Sequence, residues 1–408
     1  MFRYLTAGES HGKGGAVIVE GIPAGVPISE DYIEGHMRRR QQGYGRGPRQ
    51  QLEHDRAEIL SGVRHGLTIG SPIAMWVQNR DFANWTEAMS LDPVDDDAKI
   101  RRITRLRPGH ADFPGVFKYG QSDVRNILER SSARETAARV AAGAVARRFL
   151  EEFGIEIHSH VLTIGTVKAN VPETRVLGSG PDSNGLVGGI DWNAVEESPV
   201  RCADPDVAQA MMEHIDHARD TGNTAGGTFE VIAYGVPVGL GSHIQWDRKL
   251  DARIAQGMIS IQAVKGVEIG PGFDNTYLPG SEVHDIIELW EGDARPFHHI
   301  TNRAGGIEGR MSNGEPIVAR MALKPISTLS KPLPSVDLIT GEVVQAHYER
   351  SDVCQVPPAC VVGEAVMAHV LALCFLEKFG GDHLEETRSN YERFLTGLRR
   401  LSSRSTAT

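Results

Sequence analysis

Apolar and polar positions along the chain fall into two spacings. Four stretches carry the three-to-four-residue spacing of a helix with one buried face. The first, 29–42, opens on Ser29 as a cap and stops before Gly43. The second, 132–153, carries the S-x-x-E capping signature in Ser132 and Glu135, and Gly154 follows as a stop. Its apolar face is mostly alanine, which lets another backbone come close. The third, 204–219, is polar, with Asp204 as cap and Pro205 at the first helical position. The fourth, 358–379, is apolar nearly throughout and is ended by Gly380 and Gly381. Around them lie β-branched or alternating runs at 15–21, 58–61, 73–77, 161–167, 227–234 and 317–322. The helices are too few and too far apart for a regular series of strand–helix–strand units. The pattern therefore predicts an α+β fold in which antiparallel sheets pack on long helices. One domain is expected over 1–400, with a Ser/Thr/Arg-rich disordered tail at 401–408.

Composition narrows the class. Hydrophobic residues make up 40% of the 408 positions and charged residues 24%, as in an ordinary globular protein. The longest apolar run, 360–375, is broken by Gly363, Glu364 and His369 and falls short of the ~20 apolar residues of a membrane span. It reads as a core helix, and no membrane association is expected. The N-terminus lacks the apolar region of a signal peptide, and Cys202, Cys354, Cys360 and Cys374 form no CxxC pair. Reduced thiols in a cytoplasmic protein are expected. The net charge of -10 disfavours general nucleic-acid binding, so local arginine clusters call for a specific anionic ligand.

Six segments could carry chemistry. Gly8-Glu9-Ser10-His11-Gly12 can present an imidazole beside exposed backbone N–H groups, or it is a turn with a surface histidine. Arg38, Arg39 and Arg40 fall in the last turn of a helix, where the dipole favours cations. Beyond them, glycines 43, 45 and 47 let Arg46 and Arg49 converge, suiting phosphate or carboxylate recognition; a solvated basic loop is the plain alternative. The segment 105–112 projects His110 from a Pro-Gly turn with Arg105 and Arg107 upstream, and ligand spacing for a metal is absent. The segment 130–136 places arginines at a capped helix N-terminus, where an anion site and a simple cap are compatible. Lys324-Pro325-Ile326-Ser327-Thr328 suits a phosphate tail, and Arg350-Ser351-Asp352 is either a surface ion pair or an anion clamp with a base. There is no GxGxxG after a strand, P-loop, HExxH or GxSxG. From these residues alone, the chain is an enzyme with an arginine-rich pocket for a multiply anionic small molecule.

The segments GESHG, GYGRG, RPGHAD, RSSARET, TNRAGGIEG, KPIST and RSD stand here in the order they take in chorismate synthases. The chain resembles that family from Gly8 to Asp352. It departs from the pattern at Gln50, where the family often has Met, and 168–191 is a length-variable stretch onto which nothing is carried. The resemblance implies a β-α-β sandwich, with long buried helices between antiparallel sheets, assembled as a homotetramer. It implies the anti-1,4-elimination of phosphate and a ring proton from 5-enolpyruvylshikimate 3-phosphate to give chorismate, with reduced FMN and no net redox change. By the same resemblance, His11 protonates the departing phosphate, His110 steadies the reduced flavin near N1 and O2, and Asp352 helps flavin N5 accept the ring proton.

Ser10, Arg40, Arg46, Arg49, Arg107, Arg134 and Arg350 would hold the substrate's phosphate and two carboxylates. The flavin positions carry over onto Arg130, Ser131, Ser132, Gln262, Ala263, Gly309, Lys324, Pro325, Ile326, Ser327, Thr328 and Arg350. The family also ties Arg40 and Arg46 to NADPH, although a substrate role suits them better. No metal is implied. The chain is expected to be monofunctional, drawing reduced flavin from an external flavin reductase, and loops 43–51 and 92–97 are expected to close over the substrate. Two rivals are an NADPH-dependent flavin reductase on the same scaffold and an RNA-binding protein using the Arg/Gly segment.

Overall fold

The computed structural model describes residues 1–47, 53–94, 102–171, 189–289 and 297–403. Arg49, parts of both expected closing loops, most of 168–191 and residues 404–408 lie outside that description. Strands β1 (Arg3–Ala7), β2 (Gly14–Glu20), β3 (Ala57–Ile59) and β4 (Ile73–Gln78) form one antiparallel sheet in the order β1-β2-β4-β3. Strands β5 (Glu156–Ile164), β6 (Val167–Lys168), β7 (Gly227–Tyr234), β8 (Val264–Ile269) and β9 (Ile317–Leu323) form a second, in the order β8-β9-β7-β5-β6, again antiparallel. Eight helices matter for the argument. In chain order they are α1 (Glu30–Gln41), α2 (Asp112–Tyr119), α3 (Arg125–Ser131), α4 (Thr136–Glu151), α5 (Pro205–Asp220), α6 (Leu250–Ile259), α7 (Val356–Phe379) and α8 (Leu384–Ser403).

Helices α1 and α4 pack on the first sheet, and α7 packs on the second while crossing α1 and α4. The result is the expected sandwich of sheet, helices and sheet. Helix α7 is apolar all round because it is buried all round. It is the one helix among the described residues long and apolar enough to cross a membrane, and 78% of its apolar window is buried inside the protein. The α4–α7 crossing depends on small residues. A Cβ added at Gly143 would lie 2.4 Å from the Ala365 Cβ.

The same crossing buries a charge cluster. Glu364 of α7 accepts from Arg39 of α1 at 2.7 and 3.0 Å, from Arg147 of α4 at 2.7 Å and from Ser159 of β5 at 2.6 Å. Arg201 adds a contact at 3.4 Å, and Glu196 clasps both Arg39 and Arg201. Burial alone would raise the Glu364 carboxyl, but the surrounding guanidiniums hold it well below the usual range. Arg39 is thus part of the frame, not of the cavity described below.

Sequence boundaries and structure differ in informative places. Ser29 caps α1 through Tyr32 N at 3.2 Å, and Asp204 caps α5 through Asp206 N at 3.1 Å. The capping box expected at 132–135 forms only in half. Ser132 accepts from Arg134 N at 3.2 Å, but Glu135 is drawn off by Arg139 at 2.9 Å and Thr6 at 3.0 Å. Residues Ala133–Glu135 are therefore a tight turn, and α4 proper starts at Thr136. Helix α7 starts two residues before the expected 358, because the first turn tolerates proline at 357 and 358. Helix α8 runs to Ser403, into the stretch expected to be a disordered tail, and packs Tyr391 and Phe394 on the core.

Candidate active site

A cavity of about 720 Å³ opens where the N-terminal ends of α4 and α7 meet the loops after β1, β9 and α1. That volume suits a small-molecule site, for which ~300–1,000 Å³ is typical. Arg40, Arg46, Arg102, Arg107, Arg125, Arg134, Arg350 and Lys324 line it, against the carboxylates of Glu349 and Asp352. Its field therefore favours anions.

One corner is built by the loop between β1 and β2. Gly8 has φ +115°, and a Cβ there would lie 2.2 Å from the Gly14 carbonyl oxygen, so only glycine lets the loop turn this tightly. The turn places Ser10 and His11 on the cavity wall. His11 N donates to Glu129 Oε2 at 2.7 Å, and the imidazole Nδ1 lies 2.9 Å from Glu129 Oε1. The Trp85 ring packs on the imidazole, with centroids 4.0 Å apart. Arg130 braces the same loop from outside, donating to Thr6 O at 2.9 Å and Gly8 O at 3.2 Å.

The opposite corner holds His110. Its Nδ1 lies 2.5 Å from Asp112 Oδ1, and Arg107 donates to both Asp112 oxygens at 2.8 and 3.0 Å. Burial would raise the Asp112 carboxyl, but hydrogen bonds from His110 and Arg107 hold it down at about 2. Arg107 also donates to Thr328 Oγ1 at 3.2 Å, and Lys324 Nζ to Gly109 O at 3.0 Å. The segments 105–112 and 324–328 are thus locked together.

Along the floor, Asp55 bridges Arg40 at 3.1 Å and Arg134 at 2.5 Å, while Arg40 Nε also donates to Thr136 Oγ1 at 2.9 Å. Burial, with the neighbouring charges of Arg134 and Arg46, lowers the Arg40 guanidinium to about 10. It is still cationic at neutral pH. Asp352, just before α7, accepts from Arg46 Nη1 and from Gly47 N, each at 2.6 Å. Among the described residues, no group of three His, Cys, Asp or Glu side chains is placed to hold a metal.

Ser10, His11, Arg40, Arg46, Arg107, His110, Arg134, Arg350 and Asp352 are thus brought to one cavity from loops up to 342 positions apart in sequence. Ser131, Ser132, Gln262, Ala263, Lys324, Ile326, Ser327 and Thr328 share it. Three expected residues do not line it. Arg130 is turned to the β1 end, as described. Pro325 sits within the lining loop without facing inward. Gly309 occupies a two-residue turn before Met311 and adjoins the N-terminus of α6, where Arg310 O accepts from Leu250 N at 3.0 Å. The cavity meets Ile261 and Gln262 beyond the other end of that ten-residue helix, about 15 Å away at ~1.5 Å per residue. Gly309 thus stands apart from this chain's own cavity. Sequence reasoning missed Glu129, Asp112, Trp85, Arg125 and Asp55. Only the Arg125–Glu129 spacing of four on one helix was a readable signal.

The family model described as chorismate synthase matches residues 2–376. The chorismate synthase of Desulforudis audaxviator is 53% identical over 399 residues, covering 98% of both chains. That of Moorella thermoacetica is 54% identical over 401 residues, covering 97% of this chain and 99% of its own. That of Geobacter metallireducens is 54% identical over 404 residues, covering 98% and 100%. A crystal structure of a chorismate synthase superposes with a TM-score of 0.77 at 43% identity over 98% of each chain. With the sandwich fold and the ordered motifs meeting in one arginine-walled cavity, these full-length matches place the chain in the chorismate synthase family.

Proposed function

We propose that this chain makes chorismate by eliminating phosphate and a ring proton from 5-enolpyruvylshikimate 3-phosphate. The observation that carries the reading is the placing of two carboxylate-backed imidazoles and Asp352 around one cavity walled by arginines. The substrate's phosphate and two carboxylates match that wall in charge and number of acceptors. His11 delivers a proton to the departing phosphate. Arg40, Arg134 and Arg46 hold the anionic groups in register, Arg40 and Arg134 already fixed by Asp55 and Arg46 by Asp352. Arg40 is only 4% exposed, which suits a bound substrate better than a diffusible nicotinamide.

The cavity also suits a flavin phosphate. Lys324, Ser327, Thr328 and Arg350 form a donor set for a phosphate ester. The buried Gln262 Oε1 has no hydrogen-bond partner among the described residues, and neighbouring Ala263 holds a strained φ of +68°. Both point to a polar ligand beside them. The chemistry that reduced FMN would supply there is electron density lent to the substrate ring during loss of phosphate, with no net redox change. With flavin bound, His110, held by Asp112, would steady its negative charge, and Asp352 would take part in moving the substrate's ring proton. Closure of the cavity against water strengthens each of these interactions.

The reading includes a homotetramer in the cytoplasm, supplied with reduced flavin by a separate reductase. Exposed Trp246, Phe273, Tyr277 and Leu289 are apolar surface of the kind that association covers. The flavin-reductase alternative is not favoured, because the full-length relatives are named chorismate synthase. The RNA-binding alternative fares no better, since the same full-length relatives are named chorismate synthase and the chain's net charge is -10. The test is anaerobic. Protein, photoreduced FMN and 5-enolpyruvylshikimate 3-phosphate are mixed, and chorismate absorbance and free phosphate are followed. The mixture is repeated in air with NADPH and oxidised FMN. Product in the first only is expected. Product in both gives an intrinsic reductase, and product in neither from folded, flavin-loaded protein overturns the reading.

A further inference from the structure

We propose that Glu129 is a positioning residue for this reaction, holding His11 with its proton on Nδ1 so that proton delivery runs through Nε2. The proposal rests on the reading of His11 as the acid. Glu129 grips the His11 loop at three levels. Its backbone carbonyl accepts from Ser10 N at 3.0 Å. One side-chain oxygen accepts from His11 N at 2.7 Å, and the other lies 2.9 Å from His11 Nδ1. Arg125, one turn earlier on α3, donates to that second oxygen at 2.7 Å.

The tautomer follows from charge. Burial would raise the Glu129 carboxyl, but the hydrogen bonds from His11 and the charge of Arg125 outweigh it and hold it below the usual range. An ionised carboxylate only accepts, so Nδ1 must be the donor. As the acid His11 is the imidazolium, with a proton on each nitrogen, and the transferable one is then on Nε2, across the ring. As the substrate's C–O electron pair leaves with the phosphate, that proton passes to a phosphate oxygen. The neutral imidazole left behind keeps its Nδ1–H on Glu129. Trp85 fixes the plane of the ring at 4.0 Å, and is itself tied by its Nε1 to Asp81 Oδ2 at 3.1 Å. The matching pair at His110 is less decisive, because His110 Nδ1 also meets the Arg107 guanidinium at 3.0 Å.

Glu129→Gln keeps the shape but turns an NH2 group toward one of these donors. Turnover is measured anaerobically with photoreduced FMN and varied substrate, for Glu129→Gln, Glu129→Asp, His11→Gln and the double variant His11→Gln/Glu129→Gln. Protein with 15N-labelled imidazoles reports the ring tautomer, with His11 identified from the His11→Gln difference spectrum. The expected results are a kcat lower by about 100-fold in Glu129→Gln with KM within about threefold, since a placed acid is worth ~10²–10⁴ in rate. Glu129→Asp recovers part of the loss, the double variant is no slower than His11→Gln, and His11 carries its proton on Nδ1 in the parent protein. A parent-like kcat in Glu129→Gln overturns the proposal, as do losses that add fully in the double variant, or an unprotonated Nδ1 in the parent. A His11→Gln variant with full turnover would instead overturn the acid assignment of His11.

Discussion

Gly143→Ala sets two effects of known size against each other. On an exposed helix the change stabilises, because alanine outranks glycine by about 1 kcal/mol in helix propensity. At this site the new methyl would lie 2.4 Å from Ala365 Cβ, 2.6 Å from Ala365 Cα and 2.7 Å from its carbonyl oxygen. Ordinary carbon contacts need roughly 3.5 Å, so the helices must part by about 1 Å. Helix α7 has no slack behind it. On its far side, a Cβ at Gly363 would already lie 2.8 Å from Val231 Cγ2 and 3.0 Å from Phe229 Cε2. Overpacking costs about 1–3 kcal/mol, and a gap of 0.5–1 Å elsewhere along the interface forfeits a quarter to a half of each contact's attraction. The steric loss wins, and a net destabilisation of about 2 kcal/mol is expected. Calorimetry should show Tm lower by several degrees. The same displacement moves Thr136 and Pro358, at the near ends of the two helices, within the cavity wall. A shift of 1 Å there can lower catalysis by up to ~10²-fold, so kcat/KM should fall as well. Adding Ala365→Gly removes the shortest contact and should restore only part of the stability, because the Cα and carbonyl contacts remain. A Gly143→Ala protein with raised Tm and parent-like kinetics would refute the helix spacing described here.

Other expectations follow from the buried charges. Glu364→Gln removes the counter-charge from Arg39, Arg147 and Arg201 at the centre of the fold. It should lower stability by about 3–5 kcal/mol in a denaturant titration without changing KM. Asp352→Asn lies in the cavity and removes the carboxylate that holds Arg46 and Gly47 N, so it should lower kcat by about 100-fold or more and lower Tm as well. His369, wedged between Phe2 and Tyr4, has its imidazole pushed down to about 4 by burial. Below pH 6.5 the unfolded chain takes up a proton that the folded chain refuses until about pH 4, so stability falls as pH drops through that window. His369→Phe should remove on the order of 1 kcal/mol per pH unit of that loss between pH 6 and 5, read from unfolding curves at each pH.

What the sequence made legible depends on where an element lies in the sandwich. Strand β7, central in its sheet, reads directly from GTFEVIAY, and β4 from IAMWVQ. Of the strands in the two large sheets, sequence reading missed β8, which lies at a sheet edge. An edge strand buries only part of one face, so VKGVEI shows no clean alternation, and a register shift at Val264–Gly266 blurs it further. Helix α7 was legible at its end because Gly380 stops it, whereas α8 was missed because the polar face of an amphipathic surface helix resembles a tail.

The site divides along similar lines. Its cations were legible because glycine, proline and arginine stand close together in short motifs. Most of their partners were not, because a carboxylate finds its guanidinium through the fold. Asp55 is 15 positions from Arg40 and 79 from Arg134, and Glu129 is 118 from His11. That hidden half decides how the cavity behaves. Arg40, Arg46, Arg107, Arg125 and Arg134 each rest on a carboxylate, whereas Arg350 has no ion-pair partner among the described residues. The paired guanidiniums are held in place before any ligand arrives, so binding spends little on ordering long side chains. Losing a carboxylate such as Asp55 would therefore loosen two arginines at once, Arg40 and Arg134. It would damage binding as much as losing either arginine, although Asp55 itself touches no ligand in this reading.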